Sequence, residues 1–337
     1  MAGSVVLVEA LRGDTVESRH RGAVAVVDAS GGLVWSVGDV EALVFPRSSV
    51  KPLQALPLVE TGAADAFGAG ARELALATAS HGGEPAHVEA VQRFLAAAGL
   101  GGDALACGTH RPLFLDAAVA LDRAGEAPSA LHHQCSGKHA GFLCTAVHCG
   151  EDPRGYIEAD HPAQRRVTAA LAAMTGHDLR AAPCGCDGCG IPAFALPLRA
   201  IARGMARMAD TAGLGPERAR ACGRLLDAMA AEPFFVDGTG GAATEIMSAA
   251  PGTVRLKPGA EGVYVAALPA LGLGLALKIE DGAKRAAELA VATILDRLGC
   301  FDDAARHRLA ALLHPELRNM AGRVVGALRP TDALRRP

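Results

Sequence analysis

Phe45-Pro46-Arg47-Ser48-Ser49-Val50-Lys51-Pro52 marks a change of regime along the chain. Upstream, Val5-Val6-Leu7-Val8, Ala23-Val24-Ala25-Val26-Val27 and Leu33-Val34-Trp35-Ser36-Val37 are short, largely apolar runs. Turn formers such as Gly13-Asp14 and Ser30-Gly31-Gly32 separate them, a pattern that reads as an antiparallel meander. Downstream, Val50, Leu53 and Leu56 recur at helical spacing. A helix is therefore expected to start here, with Ser48 or Ser49 as its N-cap and Pro52 tolerated in its first turn.

Further along, residues 72–79, 85–98, 161–175, 192–208 and 216–231 read as helices, separated by Gly- and Cys-rich loops. Strand character returns at 262–268 and 272–279, a helix is expected over 283–298, and 323–326 reads as a last short strand. Strands at both ends and helices between them define an α+β fold: one antiparallel sheet made from both termini, flanked by helices, with a helical middle. Residues 1–337 are expected to form a single catalytic unit, its sheet portion near 1–47 and 240–337 and its helical portion near 48–239. No repeat of fixed period and no low-complexity linker is visible.

Composition narrows the functional classes. Of 337 residues half are hydrophobic, and 33 Lys and Arg against 36 Asp and Glu leave a formal charge of −3. A nucleic-acid footprint is not expected from that balance. Arg318, Arg323, Arg329, Arg335 and Arg336 gather near the end without forming a run, as on a solvated surface. Residues 1–10 lack a positive leader region and meet Glu9 early, so no signal peptide is read there. The uncharged stretch 262–277 is broken by Pro269, Gly272 and Gly274 and is too short to span a membrane. A cytoplasmic location is expected. The nine cysteines, an odd number, then read as thiols or metal ligands rather than disulfides.

Ser48-Ser49-Val50-Lys51 contains S-x-x-K. Serine is a weak nucleophile and needs a base. Residues at i and i+3 share a helical face, so Lys51 reaches toward Ser48 across one turn. A helix start disfavours an ammonium, and burial lowers a lysine pKa further; a neutral Lys51 can take the Ser48 proton. The same logic serves β-lactamases and penicillin-binding proteins. Ser80, in Ala79-Ser80-His81-Gly82-Gly83, offers a second hydroxyl, and Lys257-Pro258-Gly259 places a lysine beside the C-terminal strands.

Two clusters, Gln134-Cys135-Ser136-Gly137-Lys138-His139 and Cys184-Gly185-Cys186-Asp187-Gly188-Cys189-Gly190, combine thiols with a histidine. Thiolates near histidine suit a soft metal. Only Cys186 and Cys189 have C-x-x-C spacing, so a four-ligand structural zinc site is not written here; one cysteine from each cluster, or unliganded buried cysteines, both fit. Cys144, Cys149, Cys222 and Cys300 read as packing, and Cys184 and Cys186 as loop residues, alternative ligands or an oxidation-prone pair. His81, His87, His110, His132 and His133 read as surface or hydrogen-bonded residues, with His132 and His133 close enough in sequence to support Cys135.

Ser48-Ser49-x-Lys51-Pro52-x-Gln54-x-Leu56-Pro57, Cys135-Ser136-Gly137-Lys138-His139, Asp187-Gly188-Cys189-Gly190-x-Pro192 and Lys257-x-Gly259-Ala260-Glu261-Gly262-Val263 occur in that order. Together they resemble the Rhizobium etli-type L-asparaginases, also called class 3 or thermolabile asparaginases, over residues 22–326. The resemblance implies a fold like the serine β-lactamases and serine-dependent glutaminases, hydrolysis of L-asparagine to L-aspartate and ammonia, and a homodimer. It implies that Ser48 is the nucleophile and Lys51 its base, with Ser80 and Lys257 as a second Ser-Lys pair. Cys135, Lys138 and Cys189 would hold one zinc ion per subunit, and Arg47, His139 and Asp187 would bind the substrate. Lys138 would have to be neutral to serve as a ligand. The zinc would orient the substrate rather than generate the nucleophile. Relatives can carry a further cysteine where this chain has Ala243.

Other readings remain beside this one: hydrolysis of another small amide such as glutamine, a zinc-binding protein without amidase activity, or a β-lactamase-type enzyme. His87-Val88-Glu89 with Pro183-Cys184 mimics the start of a zinc deaminase signature, but Asp187 stands where its second cysteine belongs.

Overall fold

The computed structural model describes residues 3–335; Met1 and Arg336 lie outside them. The chain divides into two compact units, one made of residues 1–49, 196–210 and 245–337, the other of 50–195 and 211–244.

The first unit is built on a sheet of eight strands: β1 (Val5–Arg12), β2 (Thr15–Asp28), β3 (Leu33–Val37), β4 (Arg255–Gly259), β5 (Val263–Leu268), β6 (Leu273–Ile279), β7 (Glu316–Arg318) and β8 (Val324–Pro330). They run in the order β7-β8-β1-β2-β6-β5-β4, with β3 also on β2. Every pairing is antiparallel, and β1 meets β8 from Val8↔Pro330 to Arg12↔Gly326, so the two ends of the chain share one sheet. This is the α+β arrangement the strand–helix–strand pattern predicts.

The middle of the sheet is buried on both faces. Val24, Ala25, Val26 and Val27 of β2 are inaccessible, as are Leu275, Ala276 and Leu277 of β6. The helix Leu198–Ala209 packs on β2, β5 and β6. Gly274 makes its close approach feasible: a Cβ there would lie 2.2 Å from Ala202 O and 2.2 Å from Ala206 N. The helix Lys284–Arg297 packs against β1, β6 and β8. Sequence periodicity places one helix over 192–208, but its first residues are extended: Pro192–Phe194 and Leu196–Pro197 are short strands. Pro192 and Pro197 lack the N–H a helix interior needs.

The strand β4 escapes the sequence reading because Pro258 lies within it. It is the last strand in the sheet order, where a missing N–H is tolerated. Gly259 of β4 abuts the turn preceding the first helix: a Cβ would fall 2.7 Å from Pro46 O and 3.1 Å from Ser49 Cβ. Lys257 lies two residues away on the same strand face.

The second unit is mostly helical. Its helices include Lys51–Gln54, Leu56–Glu60, Ala71–Ala77, Pro85–Ala97, Ser136–His148, Pro162–Thr175 and Pro216–Ala231. The small hairpin Cys184–Cys186 with Pro192–Phe194 carries the second cysteine cluster. The helix Ser136–His148 is absent from the sequence reading, because Gly137 and Gly141 interrupt its apolar pattern. Those glycines are its contact face. A Cβ on Gly137 would lie 2.5 Å from Leu76 O, and one on Gly141 would lie 3.4 Å from Ala77 Cβ. The helix Ala71–Ala77 can therefore lie directly against it. Among the described residues no helix is long and apolar enough to cross a membrane.

Candidate active site

The S-x-x-K segment does not begin as a capped α-helix. Arg47–Val50 is a single turn of 3₁₀ helix, followed by an α-helix of only 4 residues, Lys51–Gln54. Neither Ser48 nor Ser49 caps it: the N-cap is Val50, without a side-chain cap bond. Ser49 instead donates its hydroxyl to Pro46 O at 2.7 Å, and its N–H bonds the same carbonyl at 3.1 Å. This tight turn forces Arg47 to φ 53°, a left-handed conformation unusual for a side chain with Cβ. Such positions persist where surrounding bonds fix them, and they gather at functional sites. Arg47 and Ser48 are half-buried at the end of the first unit, while Ser49 is inaccessible. Lys257 belongs to the same unit, is buried, and donates to Pro258 O at 2.7 Å.

Within the second unit the remaining residues gather around Lys51. Its side chain is inaccessible, and Nζ donates to Ala79 O and lies 3.0 Å from Ser80 Oγ. Ser80 is held by its own N–H on Val236 O at 2.8 Å. Lys51 also hydrogen-bonds Cys135. Burial pushes the Lys51 pKa down, which the Cys135 charge opposes and Lys138 reinforces.

Cys135, Lys138 and Cys189 come together. Lys138 donates to Cys189 Sγ at 3.0 Å, and the two thiols hydrogen-bond each other. That bond, with Lys51 and Lys138 close by, holds Cys135 well below the ordinary thiol value against the effect of burial. The same bond, with burial, pushes Cys189 up. Burial works against the Lys138 ammonium, but Cys189 and Cys135 outweigh it and raise its pKa. Asp187, half-buried, adds to that effect.

The donor set fits a soft divalent metal on one condition. No group of three or more His, Cys, Asp or Glu among the described residues is placed to hold a metal ion; beside the two sulfurs, the Lys138 amine would be the third donor. Two thiolates and an amine suit zinc and leave a position open. The condition is that Lys138 gives up its proton to the metal.

Several supporting residues were not singled out by motif. His133 accepts the Cys135 N–H at 2.9 Å, realising the contact its place in the sequence suggests. His81 bonds Ser136 Oγ at 2.9 Å and accepts the Gly83 N–H, fixing the segment after Ser80. Tyr156, which carries no motif, bonds His139 Nδ1 at 2.6 Å. His87 uses both ring nitrogens, on Glu84 N–H and Phe234 O, and Glu89 pairs with Arg93, so the deaminase-like pattern is structural. All nine cysteines are free thiols. Cys144, Cys222 and Cys300 are buried as packing residues, but Cys149 is exposed just beyond the Ser136–His148 helix. Cys184 and Cys186 are exposed on their hairpin strand. Ala243 is buried, with its N–H on Asp237.

The chain thus combines an α+β sheet made from both termini with a buried lysine, Lys51, held against the Ser80 hydroxyl. The model of the L-asparaginase II family matches residues 8–330, and the chain belongs to this family of amidohydrolases. No curated protein sequence matches it significantly. Among solved structures, the chain is similar to Mglu in its glutamate form at 13% identity and a TM-score of 0.46, covering 83% of this chain. It spans 61% of the length of that Mglu chain. It is also similar to a beta-lactamase from Mycobacterium bovis at 12% identity and a TM-score of 0.34, covering 86% of this chain and 94% of that one.

Proposed function

We propose that the protein is an L-asparaginase acting through a serine ester. The observation that carries this reading is Lys51: fully buried, with Nζ 3.0 Å from Ser80 Oγ and three residues along the chain from Ser48. A lysine whose pKa is lowered by burial is suited to accept a proton from serine near neutral pH.

In the proposed reaction Ser48 Oγ attacks the side-chain amide carbon of asparagine while Lys51 takes its proton. The tetrahedral oxyanion is stabilised by backbone N–H groups at the helix start, that of Ser48 among them. The C–N bond then breaks, and Ser80 with Lys257 relays the proton that lets ammonia depart. Water adds to the aspartyl ester, releasing aspartate and restoring the Ser48 hydroxyl. Arg47, His139 and Asp187 bind the charged groups of the substrate. Cys135, Lys138 and Cys189 would hold zinc, whose Lewis acidity would help orient the substrate. A homodimer serving asparagine breakdown completes the reading.

Apolar fit separates substrates differing by one methylene by only about 1–3 kcal/mol, so selectivity for asparagine over glutamine must come from clamping the α-amino and α-carboxylate groups. Ammonia release across asparagine, glutamine and β-aspartyl peptides, with and without chelator, tests the proposal. Asparagine is expected to be the best substrate. Preference for glutamine would move the assignment to the other amide, and no release from any of them would leave a zinc-binding protein.

A further inference from the structure

His139 has one ring nitrogen satisfied and one not. It is inaccessible, and its Nε2 is a buried atom with no hydrogen-bond partner among the described residues. Its Nδ1 lies 2.6 Å from the hydroxyl of Tyr156, which is itself buried. The Tyr156 oxygen already accepts the backbone N–H of Ala106 at 2.9 Å. The phenolic proton then has Nδ1 as its acceptor; were Nδ1 protonated instead, that proton would be left buried and unpaired, which is costly. Nδ1 is therefore the acceptor, and in the neutral ring Nε2 carries the proton. The arrangement leaves a buried N–H donor without an acceptor among the described residues.

The location gives that donor a use. His139 directly follows Lys138, and both side chains approach the Phe142 ring, the Lys138 Nζ at 5.6 Å and the imidazole centroid at 5.8 Å from its centroid. We propose that Tyr156 is a positioning residue that holds His139 as its Nε2–H tautomer, presenting a donor to an oxygen acceptor of the bound substrate, a carboxylate or amide carbonyl. This rests on the reading of the Lys51–Cys135 cluster as an amidohydrolase site. Tyr156 touches no reacting atom in it. The Ala106 N–H fixes the phenol, the phenol fixes the tautomer, and the tautomer decides whether His139 offers a proton or a lone pair.

The tautomer is tested without substrate or turnover. In protein labelled with ¹⁵N-histidine, with His139→Gln used for assignment, His139 should show an unprotonated Nδ1 and a protonated Nε2. A protonated Nδ1 overturns the proposal, whatever the enzyme hydrolyses. In Tyr156→Phe the tautomer preference should weaken, and KM for asparagine should rise by about tenfold, the effect of one lost hydrogen bond of about 1.4 kcal/mol, with kcat changed much less. An unchanged KM in a folded variant overturns the positioning role. His139→Gln, whose amide N–H can replace Nε2–H, should bind asparagine better than His139→Asn; the reverse order contradicts the inference. If wild-type protein releases no ammonia from asparagine, the functional reading fails and the tautomer result still stands by itself.

Discussion

Lys51 is a cation-forming side chain enclosed where its charge is costly, and its contacts are a carbonyl, a serine hydroxyl and a thiol. Because burial lowers its pKa, the neutral base becomes available below the ordinary lysine value of 10.5. kcat/KM is therefore expected to rise with pH along an acid limb whose midpoint lies below 10.5, and Lys51→Ala should cost about 10²–10⁴-fold in turnover. A pH profile and the variant's kinetics check both; a variant with near-normal turnover would remove Lys51 from the chemistry. The paired thiols make a separate claim. Cys135→Ser and Cys189→Ser should each lower the zinc content measured by elemental mass spectrometry after purification, and undiminished zinc in both would show that the metal, if bound, sits elsewhere.

At the same scale, the S-x-x-K spacing draws attention to Ser48 and Lys51, while Ser80, Cys135, Lys138 and Cys189 are singled out through the family resemblance; the structure brings Lys51 to Ser80 and Lys138 to Cys189. The residues that hold them were not legible. Tyr156 and Ser136 act through hydrogen bonds to a ring distant in sequence and to backbone, and such bonds leave no periodicity.

Elements set these distances. The Ser136–His148 helix carries Lys138 and His139, and its glycines allow it to lie against the helix Ala71–Ala77 that leads into Ser80. A methyl on Gly137 would meet backbone at 2.5 Å, which only movement of a helix can relieve. Gly137→Ala is expected to destabilise the fold by about 1–3 kcal/mol. It should also reduce turnover more than a half-buried control such as Gly223→Ala, whose added methyl meets nothing within 4 Å. Denaturant unfolding with parallel kinetics reads both; equal behaviour of the two variants would show that the contact does not position the site. Helices with an apolar face and a clean start, such as Pro216–Ala231, were legible residue by residue. The helix bearing Lys138 was not, because small residues chosen for close packing resemble a loop in sequence. The opening of the S-x-x-K helix differed as well, since Ser49 turns back on Pro46 instead of capping.

Across the whole molecule, the sheet of the first unit needs residues from both ends of the chain, and the second unit encloses several ionisable groups in a largely apolar interior. Its histidines have a consequence for stability. Burial holds His81 and His139 well below the ordinary 6.5, and lowers His87 as well. The unfolded chain therefore binds more protons than the folded one as pH drops below 6.5. Stability from these groups is present above that pH and is lost as pH falls toward their folded pKa values. Thermal unfolding should show a falling Tm from pH 7 down to pH 5, and a flat Tm would mean that these rings are not held neutral. The sheet from both termini was legible at this scale, since strand patterns stood at each end. The assignment of Leu198–Ala209 to the sheet unit was not, because only Gly274, far along the chain, reveals where that helix lies.

The account depends on Ser48 forming an ester with the substrate. Ammonia release from saturating asparagine by Ser48→Ala, beside circular dichroism to verify its fold, tests this most directly. The expected result is an intact fold and a rate lowered by at least about 10³-fold. A folded Ser48→Ala variant that releases ammonia within about tenfold of the wild-type rate would contradict it.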